Sequence, residues 1–216
     1  MDRTLSLGPE SLRTLSRRLA AAVAVVGAVS CVSLGLFFAA GGPFGRVNDV
    51  GNGLLGLLCG ALALTTHRSG RLAITALALG GAAGAVLGSY LVMRDITGYF
   101  LAGLVSAFGF ALIGLWLVVA TRSGDLPGRR SGQTAGAVMA LGMVNLPAVV
   151  QGLDDQDSAP AWLLAVGICW AGTYLLLPAW SGRFALTSSG TVNRGRGRRS
   201  RQRRDGAPAP RRDRAW

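Results

Sequence analysis

Residues 44–56 read FGRVNDVGNGLLG, which sets Arg46, Asn48, Asp49 and Asn52 at the mouth of an otherwise apolar run. Amides and a carboxylate in such a place can bind a polar solute, cap a helix, or join one helix to another. Asn48 and Asn52 are four apart, so a helix presents them on one face. Tyr90, Asn145 and Gln151 sit near the ends of other apolar runs. Pro147, two residues after Asn145, removes an internal helix hydrogen bond and crowds the carbonyl of Met143, which predicts a kink beside that amide. Kinked or broken helices next to polar side chains are a recurrent way to build solute sites in transporters.

No other constellation reaches a named reaction. All 22 basic residues are arginine, which excludes a Walker-type phosphate-binding lysine and a Schiff-base lysine. His67 is the single histidine and stands next to Arg68 at the end of an apolar run. It has no nucleophile opposite it in the sequence pattern, so intramembrane serine proteolysis is disfavoured. Cys31, Cys59 and Cys169 all fall inside apolar runs, where thiols pack as small hydrophobes. No cysteines or histidines occur at ligand spacing, so neither a metal site nor a cofactor is expected. Glu10 is the sole glutamate, and Asp49 is the acid that comes nearest to a span. The span-centre carboxylates of a proton-coupled antiporter are therefore missing, as are the aspartate clusters that hold Mg²⁺ for lipid headgroup transfer. Asp154, Asp155 and Asp157 read as a solvated acidic turn.

These residues need elements to position them, and the apolar runs supply six. Only 15% of the chain is charged, against about a quarter in a soluble domain, and the deficit is concentrated in long uncharged stretches. The runs cover roughly Leu19–Ala40, Val47–Thr66, Leu72–Met93, Tyr99–Ala120, Thr134–Gln151 and Ala161–Trp180. Each has about the twenty residues that a helix needs to cross the hydrocarbon at 1.5 Å per residue. Strands this continuous in apolarity would not alternate as barrel strands do. The first run is too long for the hydrophobic region of a cleaved signal peptide, which spans about 7–15 residues.

Arginine placement predicts orientation. With the N-terminus inside, twenty arginines fall on the inner side and two, Arg46 and Arg94, on the outer side. Omitting Arg3 and the tail still leaves nine against two. Both termini are therefore expected in the cytoplasm. Asn48, Asp49, Asn52, Tyr90, Asn145 and Gln151 then lie at similar depth near the outer leaflet, and they form one polar layer if their helices face inward. Capping of the second helix by Asn48 or Asp49, and hydrogen bonding between helices by Asn52 and Asn145, account for the same residues without a pocket.

Gly80, Gly84 and Gly88 recur at four-residue spacing in the third run, and such a row lets a neighbouring backbone approach. Packing within one subunit is the expected use, with a homo-oligomer through this helix as the alternative. Ala20, Ala24 and Ala28 make a similar row in the first run. THRSG at 66–70, ATRSG at 120–124 and AWSGR at 179–183 close alternate runs, in keeping with three helical hairpins.

After Phe184 the composition turns to arginine, glycine, serine and proline. Arg194, Arg196, Arg198, Arg199, Arg201, Arg203 and Arg204 fall within eleven residues. The segment has no apolar surface to bury and is expected to be disordered. Anionic lipid headgroups are its expected partner, at about 1 kcal/mol per nearby basic residue. Aromatic interleaving is absent, so nucleic acid is not the favoured partner.

The chain thus reads as an all-α, polytopic membrane bundle. A cytoplasmic segment covers residues 1–18, a six-helix transmembrane domain covers 19–182, and a basic tail covers 183–216. The six-span, termini-inside plan and the Ala20, Ala24, Ala28 row resemble the substrate-capturing subunits of vitamin transporters, a resemblance that implies no particular site here. The arginine-only, alanine- and glycine-rich composition suggests a GC-rich bacterial genome and hence an inner membrane. A non-enzymatic structural or interaction role needs the fewest assumptions. The alternative is a solute-binding or transport component with an outward-facing polar pocket.

Overall fold

The computed structural model describes residues 8–66, 71–157 and 159–187. Among these there is no strand, and six helices are long and apolar enough to cross a membrane. The compact body runs to Ala185; beyond it only Leu186 and Thr187 are described, as helix. His67, Arg68 and the tail arginines from Arg194 to Arg204 lie outside the described residues.

Four spans are single helices: α1 (Pro9–Ala40), α2 (Phe44–Thr65), α3 (Leu72–Met93) and α4 (Tyr99–Arg122). α1 begins ten residues before the expected span, at a proline whose missing N–H costs nothing in a first turn. It ends where Gly41, at φ 65°, donates its N–H to the Phe37 carbonyl at 2.8 Å. Short connections make successive spans antiparallel. One end of the bundle therefore carries Arg46 and Arg94, and the other carries the remaining described arginines.

The last two spans are interrupted. The fifth runs as α5 (Arg129–Ala140), a 3-10 stretch over Leu141–Asn145, and α6 (Leu146–Gln151). Pro147 lies in the first turn of α6, where its missing N–H breaks no bond. The sixth runs as a 3-10 turn (Ala161–Leu163), α7 (Leu164–Ala171), a π-helical turn (Gly172–Leu176) and α8 (Leu177–Thr187). Pro178 explains the π turn: in a regular α-helix its ring would press on the carbonyl of Tyr174, and the wider turn makes room. Sequence reasoning had not singled out Pro178.

Small residues set how closely these helices approach. The buried stripe of α1 is Ser16, Ala20, Val23, Gly27, Ser30 and Ser33. Pro178 and Gly182 of α8 lie against α1 at Gly27 and Ala24. On α3, the Gly80 position is exposed, and a Cβ there would meet only Leu112 at 3.9 Å. A Cβ on Gly81 would instead run into the carbonyl of Gly109, one on Gly84 would sit 3.0 Å from Gly109 Cα, and one on Gly88 would sit 2.6 Å from the Ala102 carbonyl. The close face is thus 81, 84 and 88 rather than 80, 84 and 88. The reason is geometric: at 3.6 residues per turn a strict four-residue row rotates by about 40° per step, so a constant contact alternates threes and fours. Gly84 and Gly88 are engaged by α4 of the same chain.

Below this face, Leu55, Leu62, Phe110, Ile113, Leu117, Met139 and Trp180 form the main core. A smaller cluster, built from Leu104, Ala107, Ala148, Leu163, Val166 and Cys169, packs α4 against the last two spans toward the arginine-poor end.

Candidate functional site

The polar residues of α2 do not cap it. The helix starts at Phe44, with no side-chain bond at its cap, so Asn48 and Asp49 fall in its second turn. Both amides are buried instead, Asn48 at 7% and Asn52 at 5% exposure, and they face the sixth span. There Tyr174, within the π turn, brings its hydroxyl to 2.7 Å from Asn52 Oδ1 and 3.0 Å from Asn48 Oδ1. A hydroxyl has one proton, so it donates to one amide oxygen at a time. The other amide completes the trio by turning its NH₂ toward the phenol oxygen. Either arrangement leaves amide N–H groups of both asparagines outside the trio.

Both asparagines line a cavity of about 490 Å³ at the arginine-poor end. Its floor is the Asn48–Asn52–Tyr174 trio together with Ser89 and Gly88 of α3 and Ser106 of α4. Trp170, one turn before Tyr174, stacks on that ring with centroids 5.2 Å apart and planes at 11°. Phe38, Tyr99 and Phe100 add further rings toward the rim. Asp49 is the charged residue on this wall.

The rim is fixed by an acid that the sequence reading placed in a solvated turn. Asp154, in the connection between the last two spans, accepts hydrogen bonds from the N–H of Gly98 and, at 3.0 Å, from the N–H of Leu101. It thereby caps α4 from across the bundle, satisfying amides that a helix start leaves open. Asp155 closes a local turn by accepting from the Asp157 N–H at 3.0 Å.

Of the six residues expected in one polar layer, Asn48, Asp49 and Asn52 share the cavity. Asn145 does not reach it. Fully buried, it donates from Nδ2 to the Leu104 carbonyl at 2.8 Å and so ties the 3-10 stretch to α4. Tyr90 is 47% exposed and about 100° around α3 from the cavity residue Ser89, with the Arg94 guanidinium 5.9 Å from its ring centre. Gln151 is exposed and also lies off the wall. Depth was the criterion that grouped these residues, and depth does not fix the rotation of a helix. Trp170 and Tyr174 were missed, although WAGTY places the two rings four apart on one helical face.

Among the described residues no group of three histidines, cysteines or acids is placed to hold a metal ion. No protein-family model, curated protein or solved structure matches this chain.

Proposed function

We propose that this chain is a multi-pass membrane protein that binds a small solute in the cavity between α2, α3, α4 and the sixth span, as the capturing part of a transport or sensing system. The observation that carries the reading is the cavity itself. Its volume of about 490 Å³ falls in the roughly 300–1,000 Å³ range of ligand pockets, which are mostly apolar walls with a few placed polar groups. A purely structural role accounts for the Asn48–Asn52–Tyr174 link between helices, but it gives no reason for the space beside it. The interrupted fifth and sixth spans support the same reading, because irregular helices in a bilayer occur where they are enclosed by protein or border a cavity.

Orientation belongs to the proposal. Twenty arginines against two favour both termini in the cytoplasm, which would open the cavity to the outside. The test is labelling by a membrane-impermeant thiol reagent in a variant lacking the native cysteines. Gly103→Cys, whose new side chain has open space on the cavity wall, should label from the outer side, and Asn145→Cys should not. Protection of Gly103→Cys in intact cells, with labelling after lysis, would refute outward opening; protection in both states would refute a water-accessible cavity.

A further inference from the structure

We infer that the ligand is an organic cation, an amine or quaternary ammonium carried on an apolar body. This rests on the reading of the cavity as a solute site. Charge is the first argument. The chain carries a formal net charge of +12, yet Arg46 and Arg94, the arginines at this end, are absent from the wall, and Asp49 is present on it. Among the described residues Asp49 has no ion pair or hydrogen bond. A carboxylate at the edge of a low-dielectric space is stabilised by a cation and opposes an anion.

The rings are the second argument. The stacked pair of Trp170 and Tyr174, with Phe100 and Tyr99 across the same space, offers aromatic surface on more than one side. An ammonium within about 6 Å of a ring centre is attracted by the negative face of the ring, most strongly where water is displaced. A bare metal ion would instead need several hard donors, and Asp49 stands without a second acid in the wall. A sugar would call for many directed hydrogen bonds, whereas both amides here are already in contact with the Tyr174 hydroxyl.

Two compounds of equal shape isolate the charge. Benzyl(2-hydroxyethyl)dimethylammonium and its carbon isostere 3,3-dimethyl-4-phenylbutan-1-ol would be titrated calorimetrically into the full-length protein in detergent. The expected result is at least roughly tenfold tighter binding of the cation, with the cation-to-neutral ratio falling toward one in Asp49→Asn. Equal or tighter binding of the neutral alcohol to the wild type overturns the inference, and that comparison needs no variant to fold. So does an unchanged ratio in Asp49→Asn. Because ethanolamine lipids carry a primary ammonium, within the proposed class of organic cation, short-chain phosphatidylethanolamine is a parallel arm. Charge-dependent binding of the lipid without the soluble cation assigns the ammonium to a headgroup. If neither cation binds while Gly103→Cys labels from water, the cation is refuted and the cavity reading stands. If Gly103→Cys is closed to reagent, both fall together.

Discussion

The hydroxyl of Tyr174 stands 2.7 Å from Asn52 Oδ1 and 3.0 Å from Asn48 Oδ1, which makes one phenol the polar link between the sixth span and α2. Tyr174→Phe keeps the ring and its stack on Trp170 but removes the link. Hydrogen bonds between membrane helices are worth about 0.6 kcal/mol on average and up to about 1.7, so a loss in that range is expected in detergent unfolding. Asn52→Leu should cost a similar amount, and the double variant should cost less than the sum, because both changes remove the same bond. Additive losses would mean that the two residues do not interact in solution.

Asn145 separates stability from binding. Its amide is fully buried and donates to the Leu104 carbonyl at 2.8 Å; Leu104 belongs to the cavity wall, and Asn145 itself does not. Asn145→Ala should lower stability by about 1–3 kcal/mol, the usual effect of losing a buried polar partner and its volume. Reagent access at Gly103→Cys should stay unchanged in this background. A change in access would place Asn145 in the cavity structure after all.

The contrast between Asn52 and Asn145 also marks how far the sequence was legible. Six spans could be read because burial in lipid demands long uncharged runs, and that demand is one-dimensional. The grouping of Asn48, Asp49 and Asn52 could be read because all three sit within two turns of one helix. What could not be read was rotation. Tyr90 and Ser89 are adjacent in sequence, yet Ser89 faces the cavity and Tyr90 does not, and nothing local distinguishes them. Tyr174 was hidden for a related reason: in an apolar span a tyrosine looks like one more bulky residue until a partner is known. Its aim also depends on a π turn that only Pro178 announces.

The glycine face of α3 gives a graded test. Gly80→Ala meets only Leu112, at an ordinary contact distance of 3.9 Å, and should be neutral or stabilising by up to about 1 kcal/mol from helix propensity. Gly88→Ala would bring a methyl within 2.6 Å of the Ala102 carbonyl, and Gly81→Ala would press on the Gly109 carbonyl. Both should reduce the yield of monodisperse protein in size-exclusion chromatography. If Gly80→Ala were the damaging change, α3 would have to face a second copy of the chain on its exposed side.

Asp154 offers the most local control of the cavity rim. Its carboxylate accepts from the Gly98 and Leu101 amides, and the adjoining residues Tyr99 and Phe100 belong to the cavity wall. Loss of a helix-capping side chain typically costs about 1 kcal/mol, and here it would also detach the connection between the last two spans from α4. Asp154→Ala should therefore speed hydrogen exchange at the Leu101 amide and speed thiol labelling at Gly103→Cys. Asp157→Ala, three residues on, removes a side chain that holds no helix end and should change neither rate. If the two variants behaved alike, the acidic connection would act through its charge, and the specific bonds to α4 would not be what holds the rim.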